Sequence, residues 1–201
     1  MRGIRSRQIA RFFPWSEIMN RSDPVESIVR LFAERGNSEY HGEAVSQLEH
    51  ALQCADLAER NGAISETIVA ALLHDIGHLL QGHGEAAAER GVDDHHENLG
   101  WRYLKNYFGL AVSEPVRLHV PAKRYLCAID AEYRKQLSPA STLSLQLQGG
   151  PMSPIEVSAF AAEPFHAAAI ALRHWDDEAK VPNLPTPDFA HFRNYLEAVR
   201  V

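Results

Sequence analysis

The sequence predicts an all-α protein, on three observations. Apolar residues recur at helical spacing in one segment after another. Capping side chains followed by proline open those segments, and glycines close them. No stretch alternates apolar and polar residues in the manner of a strand, and no repeat of solenoid period is present. The length of 201 residues suits one domain with a single sizeable core. A composition of 45% hydrophobic and 23% charged residues is ordinary for a soluble globular chain.

Taken in order, Ser22-Asp23-Pro24 opens a first helix, with Val25, Ile28, Val29 and Phe32 on one face and Gly36 as its stop. Residues 37–42 form a loop that carries Tyr40 and His41. A second helix is expected over 43–60, with Val45, Leu48, Leu52 and Ala55 facing inward and His50 beside them. A third runs over 66–80 and carries His74-Asp75 near its end. Gly77 is expected to loosen it, and His78 to return to the face of His74. Residues 81–94 are a polar, glycine-punctuated crossing in which His83 faces solvent. Asp94-His95-His96-Glu97 opens a fourth helix, closed by Gly109. A short fifth helix over 116–120 presents His119 and stops at Pro121, and a sixth covers 122–137. Ser138-Pro139 and Ser153-Pro154 open the next two. An apolar helix over 164–175 leads to Asp176-Asp177, and a last amphipathic helix spans 187–199.

The net charge of −6 argues against nucleic acid as a partner, since phosphate binding shows as a basic excess. No apolar run is long enough to span a bilayer, and none of secretory length follows the arginines near the start. Cys54 and Cys127 lack metal-type spacing and read as reduced core thiols of a cytoplasmic protein. Residues 1–21 are expected to be a weakly ordered N-terminal extension, and residues 22–201 a single domain.

Chemistry is concentrated at His74-Asp75. Polar groups that interrupt an apolar helix are unfavourable unless paired or ligated. Neighbours on a helix point about 100° apart, so the pair suits two metals with the carboxylate between them. Eleven histidines in 201 residues place one on each of several successive helices. The candidate ligands are His50, His74, Asp75, His96, His119 and Asp176. Four imidazoles and two carboxylates suit iron, manganese or zinc rather than a thiolate-seeking ion.

Several segments carry a family resemblance. They are Tyr40-His41-Gly42-Glu43 with Gln47-Leu48-Glu49-His50, then Leu72-Leu73-His74-Asp75-Ile76-Gly77-His78, then His96-Glu97 with Gly100. After these come His119-Val120-Pro121-Ala122-Lys123-Arg124-Tyr125-Leu126, Gln148-Gly149-Gly150-Pro151-Met152, and Arg173 with Trp175-Asp176. Together they resemble the HD-domain superfamily over residues 25–195, and within it the mixed-valent di-iron oxygenases of the PhnZ type, which cleave carbon–phosphorus bonds. The ligand pattern is shared with many phosphohydrolases. The Tyr-x-x-Glu loop and the Lys-Arg-Tyr-Leu segment are more specific.

The resemblance implies an HD-domain helical bundle with a dinuclear site in its core. His50, His74, Asp75 and Asp176 would hold one iron, and Asp75 would bridge to a second held by His96 and His119, as an Fe(II)/Fe(III) pair. His96 rather than His95 is chosen because the family's ligand directly precedes a glutamate. Lys123, His78, Arg173 and Ser141 match positions that bind a phosphonate. Tyr40 would cap an iron until substrate displaces it, and Glu43 would receive the substrate's ammonium group. The implied substrate is 2-amino-1-hydroxyethylphosphonate or an N-methylated form, with O2 as co-substrate. The products would be phosphate and glycine, or a methylated glycine such as glycine betaine. A 2-oxoglutarate-dependent phosphonate hydroxylase would act upstream. The alternative is an HD-type metal-dependent phosphohydrolase acting on a phosphate ester. It accounts for the ligands and cations but leaves Tyr40 and Glu43 without a role.

Overall fold

The computed structural model describes residues 23–40, 42–81 and 91–201. The expected N-terminal extension, His41, and His83 with most of the crossing after Gln81 lie outside the described residues. Among the described residues the elements run α1 Pro24–Arg35, β1 Glu39–Tyr40, β2 Glu43–Ser46, α2 Gln47–Arg60, α3 Ser65–Leu73, α4 Ile76–Gln81 and α5 His96–Leu104. They continue with α6 Leu110–Ile129, α7 Ala131–Gln136, α8 Pro139–Leu147, α9 Pro154–Ala161, α10 His166–Glu178 and α11 Phe189–Val199. The all-α expectation holds apart from one hairpin. No single helix among the described residues is long and apolar enough to cross a membrane.

At the centre lies α3. Every residue from Thr67 to Leu73 is buried, so this helix is covered on all sides. It packs against α2, α6, α10 and α11. Its apolar neighbours include Ile28, Phe32, Cys54, Leu104, Val116, Leu172 and Phe192. Smaller apolar clusters sit where α9 meets α6 and α10, around Leu118 and Phe160, and beneath α7 and α8, around Leu126 and Leu145. Cys54 and Cys127 are buried free thiols.

Local rules account for most helix starts. Asp23 accepts a hydrogen bond from the Val25 amide and proline follows at the first turn. Ser46 with Glu49 and Ser153 with Glu156 form reciprocal capping boxes. Asp188 caps α11.

The fourth expected helix ends early, at Leu104 rather than before Gly109, and the sixth breaks at Asp130. Three further departures border the core site. The second helix does not begin at Glu43. Residues 43–46 are a strand paired antiparallel with β1, Tyr40 opposite Glu43, across a turn in which Gly42 has φ +74°. Glycine takes that conformation without cost. Ser46 is a better cap than helix interior, so the helix waits for it. The third expected helix is broken. It stops at Leu73, and His74-Asp75 form a turn before α4 resumes at Ile76. The fifth and sixth expected helices are largely one, since α6 runs unbroken through Pro115 and Pro121. Eleven of its residues are buried, and that packing outweighs two missing amide donors, each of which would disfavour an isolated helix by about 3 kcal/mol.

Gly77 is not where the helix loosens. It is where two backbones meet. A β-carbon there would stand 2.1 Å from the carbonyl oxygen of His96. The absence of a side chain lets the start of α5 lie directly on α4. Gly77→Ala should therefore destabilise the fold by about 1–3 kcal/mol and lower the unfolding midpoint by several degrees. Gly109→Ala, where no atom lies within 4 Å of the added carbon, should change little. Thermal unfolding of the two variants side by side checks the contact. Equal effects would remove it as the constraint.

Candidate metal centre

Six side chains from separate stretches converge beside α3. His50 comes from α2, His74 is the C-cap of α3, and Asp75 sits in the turn after it. His96 is the first residue of α5, His119 lies midway along α6, and Asp176 is near the end of α10. All six are buried.

Asp75 divides the group in two. Its Oδ2 faces His74 Nε2 at 3.3 Å and His50 Nε2 at 3.8 Å. Its Oδ1 faces His96 Nε2 at 3.3 Å and His119 Nε2 at 3.5 Å. Asp176 closes the first side, with Oδ1 3.5 Å from His50 Nε2 and Oδ2 3.8 Å from His74 Nε2. His74 keeps a helical backbone conformation and Asp75 follows it in the turn, so the two side chains point in different directions and Asp75 reaches both histidine pairs.

The imidazole tautomers decide what the site is for. His50 Nδ1 lies 2.8 Å from the Ala179 carbonyl, His74 Nδ1 2.8 Å from that of Ala71, and His119 Nδ1 2.7 Å from that of Val116. His96 Nδ1 lies 2.9 Å from Asp94 Oδ1. Each partner is an acceptor, so each Nδ1 carries a hydrogen, and in the neutral imidazole each Nε2 presents a lone pair. Yet His50 and His74 bring their Nε2 atoms to 3.2 Å, and His96 and His119 to 3.1 Å. Two lone pairs so close repel unless a cation lies between them. Ligands about 2.1 Å from one ion and about 90–110° apart stand roughly 3.0–3.4 Å from each other, so the spacing suits a metal.

Without an ion, only protons could relieve these contacts. Burial pushes His50 down to about 4 and His119 well below the imidazole range. His74 and His96 go the other way. Burial opposes protonation of each, but Asp75 raises His74, and hydrogen bonds to Asp75 and Asp94 lift His96 to about 10. Burial would likewise raise Asp176, yet Arg173 and His74 hold its carboxyl far below the usual range.

The centre opens into a cavity of about 330 Å³. The other sequence-predicted residues line it: Tyr40, Glu43, His78, Lys123, Ser141 and Arg173. Tyr40 lies stacked on His50 at 3.8 Å between ring centroids, and its hydroxyl donates to Asp176 Oδ1 at 3.3 Å. His78 stacks on His96 and bonds Asp94 through Nδ1 at 2.8 Å. Lys123 is buried on α6 and donates to Ser144 Oγ at 2.8 Å, and burial lowers it to about 7. Arg173 is largely committed, bonding Asp176, Asp177 and the Tyr133 hydroxyl.

Sequence reading missed several contributors. Asp94 orients both His78 and His96, and its place just before a helix that begins with histidine was the available signal. Asp177 holds Arg173, as the spacing of four residues on one helix would suggest. Tyr133, Ser144 and Lys180 reach the site through packing that no local pattern announces. His95 is exposed, in keeping with the preference for His96.

The sequence profile of the HD domain family matches residues 47–174. The chain is 47% identical over 175 residues to a hydroxymethylphosphonate dioxygenase of Gimesia maris, covering 87% of each chain. It is 45% identical over 174 residues to the glycine-betaine-forming [1-hydroxy-2-(trimethylamino)ethyl]phosphonate dioxygenase of Leisingera caerulea, covering 87% of this chain and 89% of that one.

Metal uptake at neutral pH should release protons, because His96 holds one in the metal-free chain and must lose it to bind. Affinity should therefore rise from pH 6 towards about 10 and collapse in acid. Calorimetric titration in buffers of different ionisation heat measures the release. Asp75→Ala should abolish uptake of a second equivalent.

Proposed function

The chain belongs to the HD domain family, in its PhnZ-type oxygenase branch, and from that premise we propose that it cleaves the carbon–phosphorus bond of a 1-hydroxyphosphonate with O2. The observation that supports this best is the paired donor set split by Asp75, opening on a cavity whose wall carries Lys123, Arg173 and Lys180. With 2-amino-1-hydroxyethylphosphonate the products are glycine and phosphate. The C–H and C–P bonds of carbon 1 break, one oxygen atom goes to the new carboxyl group and the other to phosphate. The four electrons taken from the substrate reduce O2 fully, so no external reductant is required.

We assign His50, His74, Asp75 and Asp176 to one iron, and His96 and His119, with Asp75 bridging, to the other. When bound as an Fe(II)/Fe(III) pair, these ions supply oxygen activation and one-electron chemistry that side chains lack. The remaining work falls to the chain. Lys123 and Arg173 provide positive charge for the phosphonate, and Ser141 and His78 add hydrogen-bonding groups. Tyr40 covers His50 and Asp176, so its displacement by substrate exposes that side only when substrate is present. Glu43 lines the same cavity, and its carboxylate pairs with the substrate's ammonium. The hydroxyl that substrate must carry calls for an upstream hydroxylase, and a 2-oxoglutarate-dependent one suits an unactivated phosphonate carbon. Buried, reduced Cys54 and Cys127 agree with a cytoplasmic location.

Iron-loaded protein given 2-amino-1-hydroxyethylphosphonate should release phosphate only when O2 is supplied. Phosphate release from esters without O2 would favour the hydrolase instead. Lys123→Met should raise KM by roughly 10- to 100-fold, the worth of one charge-assisted hydrogen bond. A lysine binds an anion in its protonated form. Wild-type affinity should therefore weaken as pH rises through about 7, and the variant should lose that dependence.

A further inference from the structure

One wall of the cavity is loosely built. Helix α8 and the residue after it lend that wall Ser141, Ser144 and Gln148, yet within the helix only Ser141 and Leu145 are buried. Leu145 joins the apolar cluster of Leu126, Cys127 and Tyr133. One leucine anchors the helix but does not fix its direction, so the ends have to be held by other means.

Gly149 and Gly150 follow at once, both in the left-handed region at φ +97° and +71°. The Gly150 amide donates to the Leu145 carbonyl at 2.8 Å and the Gly149 amide to that of Gln146 at 3.4 Å, which closes the helix end. Glycine adopts these angles without strain, but two in succession give the turn a great deal of freedom to lose. Arg124 on α6 removes that freedom. Its Nε donates to the Gly150 carbonyl at 2.8 Å, its Nη2 donates to Glu156 Oε1 at 2.7 Å, and its own carbonyl accepts from the Met152 amide at 3.2 Å. The guanidinium lies 3.5–3.7 Å from the point where a β-carbon on Gly149 would stand. Its charge strengthens both side-chain bonds, and its planar fork fixes their direction. The residue before it, Lys123, holds Ser144 of the same helix.

We propose that Arg124 is a positioning residue for anion binding. By holding the Gly149-Gly150 turn it sets the course of α8, and with it the distance of Ser141 and Ser144 from Lys123. Arg124 itself does not line the cavity, so it acts through α8 and not on the ligand. The proposal rests on the oxygenase reading, which gives the phosphonate to Lys123 and Ser141. Those groups grip the phosphonate before and during the reaction alike, so their misplacement is read in KM and not in kcat.

Iron-loaded Arg124→Met should keep its iron content and a kcat within about threefold of wild type, while KM for 2-amino-1-hydroxyethylphosphonate rises roughly tenfold or more. Inorganic phosphate, titrated calorimetrically into the same protein, should bind more weakly by a similar factor. Arg117→Met removes ion pairs to Glu114 and Glu163 from the same helix and should leave both values within about twofold. Glu156→Gln loosens Arg124 from its far side and should raise KM roughly threefold. Unchanged KM and phosphate affinity in Arg124→Met would overturn the proposal. So would an equal rise in Arg117→Met, or a loss confined to iron content or kcat. If Arg124→Met does not fold, an unchanged KM in Glu156→Gln decides against it. Wild-type protein that releases no phosphate with O2 would overturn the oxygenase reading instead, and the phosphate titration would still judge Arg124.

Discussion

Two pairs of imidazole Nε2 atoms, brought to about van der Waals distance among buried side chains, constrain this protein more than any other feature. Each pair is held in place by acceptors behind it, and neither can relax without giving up a hydrogen bond to the main chain or to Asp94. Burying that many polar atoms costs free energy unless they are paired or ligated. A metal ion bound there would turn the same arrangement from repulsive to attractive, and would couple metal binding to folding.

From that constraint much of the architecture follows. The turn that ends the most buried helix sets Asp75 between the two imidazole pairs. The start of α5 has to lie on α4 to bring His96 within reach, and Gly77 allows the approach. Arg173 supports the outer side of the centre. Its guanidinium, held between Asp176, Asp177 and the Tyr133 hydroxyl, both neutralises a buried carboxylate and keeps it from rotating.

Much of this was legible in the chain. Helical periodicity and caps located the helices, and the His-Asp pair within an apolar run marked the centre. The spacing of the remaining ligands carries no short motif, and the resemblance to a family joined them. What stayed hidden has physical reasons. Residues 43–46 satisfy a helical apolar face and a hairpin equally well, and Ser46 settles the choice through a cap whose partner is three residues on. Two prolines that would end an isolated helix are tolerated in α6 because it is packed along its length. Lys180 and Ser144 carry no signal of their own. They matter because α8 meets α6 through Ser144 and the segment after α10 through Ser141.

Three of the four imidazoles are aimed by carbonyl groups of the main chain rather than by side chains. Every amino acid brings the same carbonyl, so mutation at Ala71, Val116 or Ala179 leaves the aiming group in place while the helix path is kept. The cavity beyond is lined by side chains drawn from β2, α8 and the tail of α10, none of them aimed by those carbonyls. Substitution can thus rework the wall that a ligand meets while the imidazoles stay aligned.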